Sequence, residues 1–145
     1  MKTLNTPYLP VQADTIGSSH GITSDLMPGE ISGHGFSYAS FGEIAQGQCT
    51  DGEDFLVTLP VNLGSSCTIS IAPGPNGVAV NSIWEKAKRA VTEALKEVKI
   101  TSGLRISLSF DRGVPIGKGL SSSTADMLAA IRALQSALGI QLSPE

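Results

Sequence analysis

The sequence contains few aromatic residues and few charges, and both shortages limit the kinds of protein it can be. Of its 145 residues, 5% are aromatic and 16% are charged, whereas 41% are hydrophobic and 16 are glycine. A coiled coil or an all-helical bundle is disfavoured, because such proteins are rich in charge and poor in glycine. The length and the hydrophobic fraction predict one compact domain with an aliphatic core.

The sequence also lacks long apolar runs and closely spaced cysteines. No run of 18 apolar residues is present, and the N-terminal segment has no apolar stretch of the kind found in secretory signals. Cys49 and Cys67 are too far apart for a Cys-x-x-Cys motif, so both are expected to be free, buried thiols. These features predict a cytoplasmic protein without a membrane partner.

Positive charge is almost absent from the first part of the chain. Residues 1–85 contain eight acids and one base, whereas residues 86–145 contain nine bases and five acids, which gives net charges of −7 and +4 within a total of −3. The small negative total argues against a nucleic-acid-binding protein. An anionic ligand would be better received by the second part, although one helix with a solvated basic face explains the asymmetry equally well.

Hydrophobic periodicity and turn residues predict an α+β fold with the order β-β-β-α-β-loop-α. Residues 1–34, rich in Gly, Ser, Thr and Pro, are expected to form a poorly ordered leader, and residues 35–145 a single domain. Ser82 and Glu85 form a capping box at the start of the first helix, and Gly139 follows the end of the second. The predicted elements are a short strand followed by a turn or helix start within 35–47, a hairpin of strands 54–62 and 66–74, a helix within 81–100, a strand at 104–110 and a helix at 123–139.

The last residues resemble the start of a further helix. Ser143 fits an N-cap, Pro144 the first helical position and Glu145 the first turn. We therefore expect the chain to be the N-terminal part of a longer protein, with an exposed apolar face that favours self-association. A polar tail that only resembles a helix start is the alternative.

The segment PIGKGLSSSTAD, residues 115–126, joins the last predicted strand to the last helix and has the composition of an anion-binding loop. Gly117 and Gly119 allow the backbone to approach a ligand closely, and the first amide groups of the following helix are unpaired at the positive end of its dipole. Lys118 adds a positive charge, and the hydroxyl groups of residues 121–124 are able to bind phosphate oxygens or a metal ion. A solvated loop followed by an N-cap serine is the simpler alternative.

Two common phosphate-binding motifs do not fit this segment. A Walker A loop requires Ser or Thr after its lysine, but Gly119 follows Lys118, and Arg112 occupies the place of the first glycine. A dinucleotide-binding fingerprint requires a third glycine where Ser122 stands.

The pattern P-x-G-x-G-L-S-S-S-T-A instead resembles the second motif of the GHMP kinases, which phosphorylate small molecules such as galactose, homoserine and mevalonate. FGEIAQG at 41–47, DGEDFLVTLPV at 51–61 and GKGLSSSTAD at 117–126 are together similar to segments of the L-threonine kinases of cobalamin synthesis. The resemblance spans about residues 36–140. It implies the N-terminal domain of a GHMP kinase with a fold like domain 2 of ribosomal protein S5. The C-terminal domain of the family is not expected within these 145 residues.

The resemblance also implies ATP and Mg²⁺ as ligands and assigns residues to them. The residues implied to bind the ATP phosphates are Pro115, Gly117, Lys118, Gly119, Leu120, Ser121, Ser122, Ser123 and Thr124. Ser122 or Ser123 is implied to contact Mg²⁺, and the catalytic residues are expected beyond Glu145.

Substrate contact is assigned less directly. Glu43, Gln46 and Asp126 are candidates, although an ordinary turn and an acid that stabilises a helix N-terminus explain the same residues. Phe41 replaces the Cys that is usual in the L-threonine kinases, and Ser121 replaces the commonest Gly. Because Phe41 replaces that Cys, the resemblance does not fix which acceptor molecule is phosphorylated.

The resemblance implies ATP-dependent phosphorylation of a small-molecule hydroxyl group, with L-threonine or a related amino acid as acceptor. The alternatives are a non-catalytic remnant that binds nucleotide or a partner, and a GHMP kinase for another alcohol. The chain of 145 residues alone is expected to bind Mg-ATP weakly or not at all and not to turn it over.

Overall fold

In the computed structural model, the described residues form four strands and two α-helices, which confirms the α+β class. The structure describes residues 29–75, 77–79, 82–100 and 103–142. The predictions for the leader up to residue 28 and for the helix start at 143–145 lie outside the described residues. The elements in chain order are β1 (Ile31–Gln48), β2 (Asp54–Pro73), β3 (Gly77–Ala79), a 3-10 turn (Ser82–Trp84), α1 (Glu85–Glu97), β4 (Leu104–Arg112) and α2 (Ser122–Leu138).

The four strands form one sheet in the order β1-β2-β4-β3. β2 pairs antiparallel with both β1 and β4, whereas β3 is parallel to β4. A parallel pair requires a crossover connection, and α1 provides it between β3 and β4. β4 therefore lies inside the sheet and leads directly to the loop that precedes α2.

Both helices pack against one face of the sheet, and the main core lies between these two layers. Alternate residues of β2 and β4 face this core, as the alternation in 104–110 predicted. The buried core residues are Cys67, Ile69 and Ile71 from β2, Leu104, Ile106 and Leu108 from β4, Ala87, Val91 and Leu95 from α1, Ile100, and Ala129, Ala130, Ala133 and Leu134 from α2.

α2 lies very close to β1, because two glycines of the strand face the helix backbone. A Cβ atom added at Gly33 would overlap the carbonyl oxygen of Ala133 and the backbone of Ala137. A Cβ atom at Gly35 would overlap the Ala129 carbonyl oxygen and the Ala133 amide in the same way. The alanine-rich face of α2 and the glycines of β1 therefore form one close contact.

β1 is longer than the sequence predicted. It begins at Ile31, inside the predicted leader 1–34, and continues through 35–47, where a strand followed by a turn or helix start was expected. Gly42 has a φ of 52°, and the pairing register shifts on both sides of it. These β-bulges explain the irregular pattern, because a bulge interrupts the alternation without ending the strand.

The predicted hairpin of strands 54–62 and 66–74 is wrong, because β2 is one continuous strand that pairs with β1. Gly64, which stands between the two predicted strands, lies within the continuous strand. A Cβ atom there would overlap the ring of Phe36 and the carbonyl oxygen of Ser37. This glycine therefore permits the close approach of the neighbouring strand.

Beyond the helices, β1 and β2 continue as a two-stranded ribbon, residues 41–60, in which every residue is exposed. The strands are joined by a turn in which the Cys49 amide donates a hydrogen bond to the Glu53 carbonyl (2.7 Å). Cys49 is exposed and Cys67 is buried, so the expectation of two buried thiols is confirmed for Cys67 and wrong for Cys49.

The helix boundaries agree with the sequence at one helix better than at the other. α1 begins at Glu85 after the 3-10 turn and has Trp84 as its N-cap, without a capping side-chain hydrogen bond. The predicted N-cap at Ser82 is therefore wrong by two residues. α2 has the predicted extent, and Gly139 ends it with a φ of 64°. None of the helices in the described part of the chain is long and apolar enough to cross a membrane.

Candidate functional site

The loop between β4 and α2, residues 113–121 (the glycine loop), is held at both ends and exposed in the middle. Val114 at its start is 3% exposed, and Leu120 near its end packs on the same small apolar cluster. This cluster consists of Ala39, Val61, Val114, Leu120 and Ala125. Residues 115–119 are all exposed. The loop therefore presents its middle to solvent from two fixed ends.

The exposed middle of the glycine loop depends on two left-handed backbone conformations. Gly117 and Gly119 have φ values of 70° and 71°. A Cβ atom added at either position would have no atom within 4 Å, so the backbone conformation and not crowding is what requires glycine. Successive amides in such conformations form concave surfaces that suit anions.

α2 begins without a side-chain cap. Ser121, the residue before the helix, has φ 50° and ψ 35°, and its hydroxyl makes no hydrogen bond to the helix. That hydroxyl instead accepts a hydrogen bond from the Ser40 hydroxyl (2.9 Å). The first helical bond runs from the Ala125 amide to the Ser121 carbonyl (3.0 Å). The earlier amides, at 122–124, are therefore available to a ligand at the positive end of the helix dipole.

Asp126, in the second turn of α2, forms a buried ion pair with Arg112 at the end of β4. Their side chains are 4% and 10% exposed. The Arg112 Nε donates to Oδ1 (3.1 Å) and its Nη2 donates to Oδ2, so the contact is bidentate. Burial raises the pKa of the Cys67 thiol to about 12, and the negative charge of Asp126 makes a smaller contribution to this rise.

Trp84 connects the start of α1 to this ion pair. Its ring stacks on Phe110 with 4.9 Å between ring centroids and 8° between ring planes. The Arg112 Cζ atom lies 5.1 Å from the centroid of the indole. The indole Nε1 is buried and has no hydrogen-bond partner in the part of the chain that the structure describes.

A pocket of about 210 Å³ lies between the starts of the two helices. Its walls are Ile83, Trp84, Glu85, Lys86 and Ala87 on the side of α1, and Ser123 and Asp126 on the side of α2. The pocket therefore adjoins the uncapped end of α2 and has the aromatic residue Trp84 in its wall. A ligand with an anionic end and a less polar remainder fits this combination.

Among residues 29–75, 77–79, 82–100 and 103–142, no group of three or more His, Cys, Asp or Glu side chains is placed to hold a metal ion. Ser122 is partly buried, and Ser123 is exposed at the pocket wall. A metal ion here would depend on these hydroxyl groups and on oxygens of its ligand, as is common for Mg²⁺ bound with phosphates.

The structure brings together some of the predicted site residues and separates others. The glycine loop leads directly into residues 122–124, and Ser123 and Asp126 both line the pocket. Glu43 and Gln46 lie apart from the pocket wall, on the exposed ribbon.

Sequence reasoning missed Arg112 and Trp84. The sequence alone gives neither residue a role in the site. A signal for Arg112 was present, because it continues the alternating series Leu104, Ile106, Leu108, Phe110 that faces the core. A base at such a position requires a buried acid as partner.

Comparison with known proteins agrees with this architecture. The model of the GHMP kinases N terminal domain matches residues 78–145, which contain α1, β4, the glycine loop and α2. Mevalonate kinase from methicillin-resistant Staphylococcus aureus MRSA252 has a similar structure, with a TM-score of 0.50 and 21% sequence identity over 78% of this chain. The fold is that of a GHMP kinase N-terminal domain.

The likeness of this chain to the mevalonate kinase concerns the fold, since the sequence identity is low. The chain spans 41% of the length of that enzyme. No curated protein matches the sequence. The glycine loop belongs to the residues that the family model matches, whereas the ribbon precedes them.

Proposed function

We propose that this chain is the N-terminal domain of a GHMP kinase and binds ATP as part of an enzyme that phosphorylates a small-molecule hydroxyl group. The observation that carries the proposal is the geometry of residues 115–124: two left-handed glycines lead into a helix whose first amides are uncapped. This arrangement supplies backbone donors for phosphate oxygens without the lysine of a Walker A loop. Lys118 is exposed beside it and adds positive charge.

The rest of the nucleotide is proposed to occupy the pocket between the helix starts. Trp84 supports this placement, because it lines the pocket and an aromatic side chain there suits the less polar part of a ligand. Ser123 lies in both the pocket wall and the amide-bearing turn, so it joins the two parts of the proposed site.

The donor atoms present fit Mg²⁺ held mainly by the nucleotide. Ser122 or Ser123 would provide a hydroxyl ligand, and the remaining ligands would be phosphate oxygens and water. When bound, the ion neutralises negative charge on the phosphates during phosphoryl transfer. The domain itself orients the phosphates through residues 117–124.

For the acceptor we propose L-threonine or a related amino acid. The support is the similarity of 41–47, 51–61 and 117–126 to segments of the L-threonine kinases. Glu43 and Gln46 remain the proposed substrate contacts, and Phe41 is the residue most able to change the acceptor. We also propose a cytoplasmic location, a single domain that includes β1 from Ile31 and so replaces the expected range 35–145, and catalytic residues beyond Glu145.

A titration followed by ¹⁵N–¹H NMR tests nucleotide binding, because it detects the weak, millimolar affinity that we expect. Mg-ADP should shift the amide resonances of 117–124 and the indole resonance of Trp84, which is unique because the chain has one tryptophan. Amides at the ribbon turn, 49–53, serve as an internal control and should not move. Absence of shifts in the loop at 10-fold excess over a millimolar dissociation constant would contradict the proposed site.

Two further measurements test the acceptor. L-Threonine added with Mg-ADP should shift the amides of Glu43 and Gln46, whereas mevalonate should not; the reverse result would assign another alcohol. With this chain alone we expect no sustained ADP release, and sustained threonine-dependent release would show that expectation to be wrong. Nucleotide binding without any acceptor effect would favour the non-catalytic alternative.

A further inference from the structure

We propose that Arg112 is a positioning residue: it neutralises the buried Asp126 and thereby allows the start of α2 to accept an anion. The inference rests on the proposed function, because the anion is the phosphate group of the nucleotide. In this proposal the negative charge of Asp126 is masked and Arg112 is the residue that masks it. Neither the resemblance nor the fold assigns this role to Arg112.

The position of Asp126 makes its charge unfavourable for an anion. It lies four residues after Ser122, the first residue of α2, which corresponds to about 6 Å along the helix axis. It is 3% exposed and lines the pocket together with Ser123. Water therefore screens it poorly, and an uncompensated carboxylate would oppose both the helix dipole and the incoming phosphates.

Arg112 compensates this charge with little freedom of its own. Its two hydrogen bonds to the carboxylate fix the orientation of the guanidinium group, which also lies against the Trp84 ring. From the end of β4 the guanidinium thus contacts the second turn of α2, through Asp126, and the N-cap of α1, Trp84. Arg112 therefore contacts both walls of the pocket and also neutralises Asp126, the buried acid that lines it.

Stability alone gives no reason for this pair. Buried ion pairs are commonly no better for stability than apolar side chains of similar volume. The neighbours Trp84 and Phe110 show that an apolar contact is possible at this place. A charge pair whose acid borders an anion site therefore points to a role in setting the local potential.

Substitutions at the two charges separate the electrostatic role from a structural one. The probe is inorganic tripolyphosphate, and the readout is the shift of amides 122–124. Asp126→Asn leaves the arginine without its acid and should tighten binding roughly 3-fold or more, whereas Arg112→Gln leaves the acid unmasked and should weaken binding about 10-fold or more. The double variant should bind within about 3-fold of the wild type, since both charges are gone.

Glu93→Gln is the matched control, because it makes the same charge change in an exposed ion pair with Lys96, away from the pocket wall. It should alter the affinity less than about 2-fold. Trp84 fluorescence reports whether each variant is folded. If Arg112→Gln does not fold, Asp126→Asn and the double variant still decide, because they differ only in the charge at 112 and the single variant should bind more tightly.

Each result decides between the claims. Equal weakening by all substitutions at 112 and 126 would mean that the pair is structural, which overturns the inference and leaves the phosphate site intact. Binding of tripolyphosphate by Asp126→Asn but not by the wild type would show that Arg112 fails to mask the acid. That result would also overturn the inference and leave the phosphate site intact. If neither the wild type nor Asp126→Asn binds tripolyphosphate, both the proposed site and the inference are wrong.

Discussion

Replacing Gly35 with alanine tests the close contact between β1 and α2. A Cβ atom at this position would overlap the Ala129 carbonyl oxygen and the Ala133 amide, and it would lie 2.9 Å from the carbonyl carbon of Arg132. Favourable contacts between carbon atoms are about 3.5–4.0 Å long, so α2 must move away by roughly 1 Å. The obstructing atoms are backbone atoms of a helix and cannot rotate aside as a side chain does. We therefore expect a loss near the upper end of the range for overpacked cores, about 3 kcal/mol.

Urea denaturation followed by Trp84 fluorescence measures this loss. The chain has one tryptophan, and it stacks on Phe110, so its emission reports the packing of the core. With a slope of about 1–2 kcal/mol per molar urea, a loss of about 3 kcal/mol lowers the midpoint by roughly 1.5–3 M.

Gly77→Ala is the matched control for Gly35→Ala. Gly77 also lies in a strand of the sheet, but a Cβ atom there would have no atom within 4 Å. Its substitution should change the free energy of unfolding by less than about 0.5 kcal/mol. If Gly35→Ala costs under about 1 kcal/mol, or no more than Gly77→Ala, the packing argument is refuted.

Further predictions concern the loop, the thiols and the ribbon. Gly117→Ala forces a Cβ atom into a left-handed conformation at a cost of about 1–2 kcal/mol, and it should weaken binding of tripolyphosphate in the NMR titration. Cys49 should react rapidly with a thiol reagent and Cys67 only as fast as the protein unfolds. The pKa of Cys67 is raised from 9.0 to about 12, so above pH 9 the folded state keeps a proton that the unfolded state loses. The free energy of unfolding should therefore fall above pH 9 by up to about 1.4 kcal/mol per pH unit. Cys67→Val should reduce this slope. The expected self-association should occur between ribbons of two copies, and Leu59→Asp should lower the average mass in sedimentation velocity; an unchanged mass would place the contact elsewhere.

Elements whose pattern is local were predictable from the sequence. β4 shows strict alternation of polar and apolar residues, and α2 is bounded by the glycine loop and by Gly139, so both were placed correctly within about two residues. The glycine loop was identified from composition alone, since left-handed conformations at Gly117 and Gly119 are what paired glycines make possible.

Elements whose form depends on a distant partner were not predictable. The length of β2 follows from its pairing with β1, and Gly64 is a turn residue by local rules although it lies opposite Tyr38 in the sheet. In the same way, β1 continues through bulges around Gly42 because β2 supplies a partner along its length. Local turn chemistry is a weak signal where a neighbouring strand already satisfies the backbone.

The ion pair Arg112–Asp126 shows the same limit within the site and explains why it matters. Each residue taken alone has an ordinary explanation, a base at a strand end and an acid near a helix start. Their juxtaposition depends on β4 and α2 packing with Trp84 between the helix starts. The same packing creates the pocket. The ion pair that masks Asp126 and the pocket that admits a ligand therefore have one cause. A substitution that loosens Trp84 should therefore affect both at once, whereas a substitution on the exposed ribbon should affect neither.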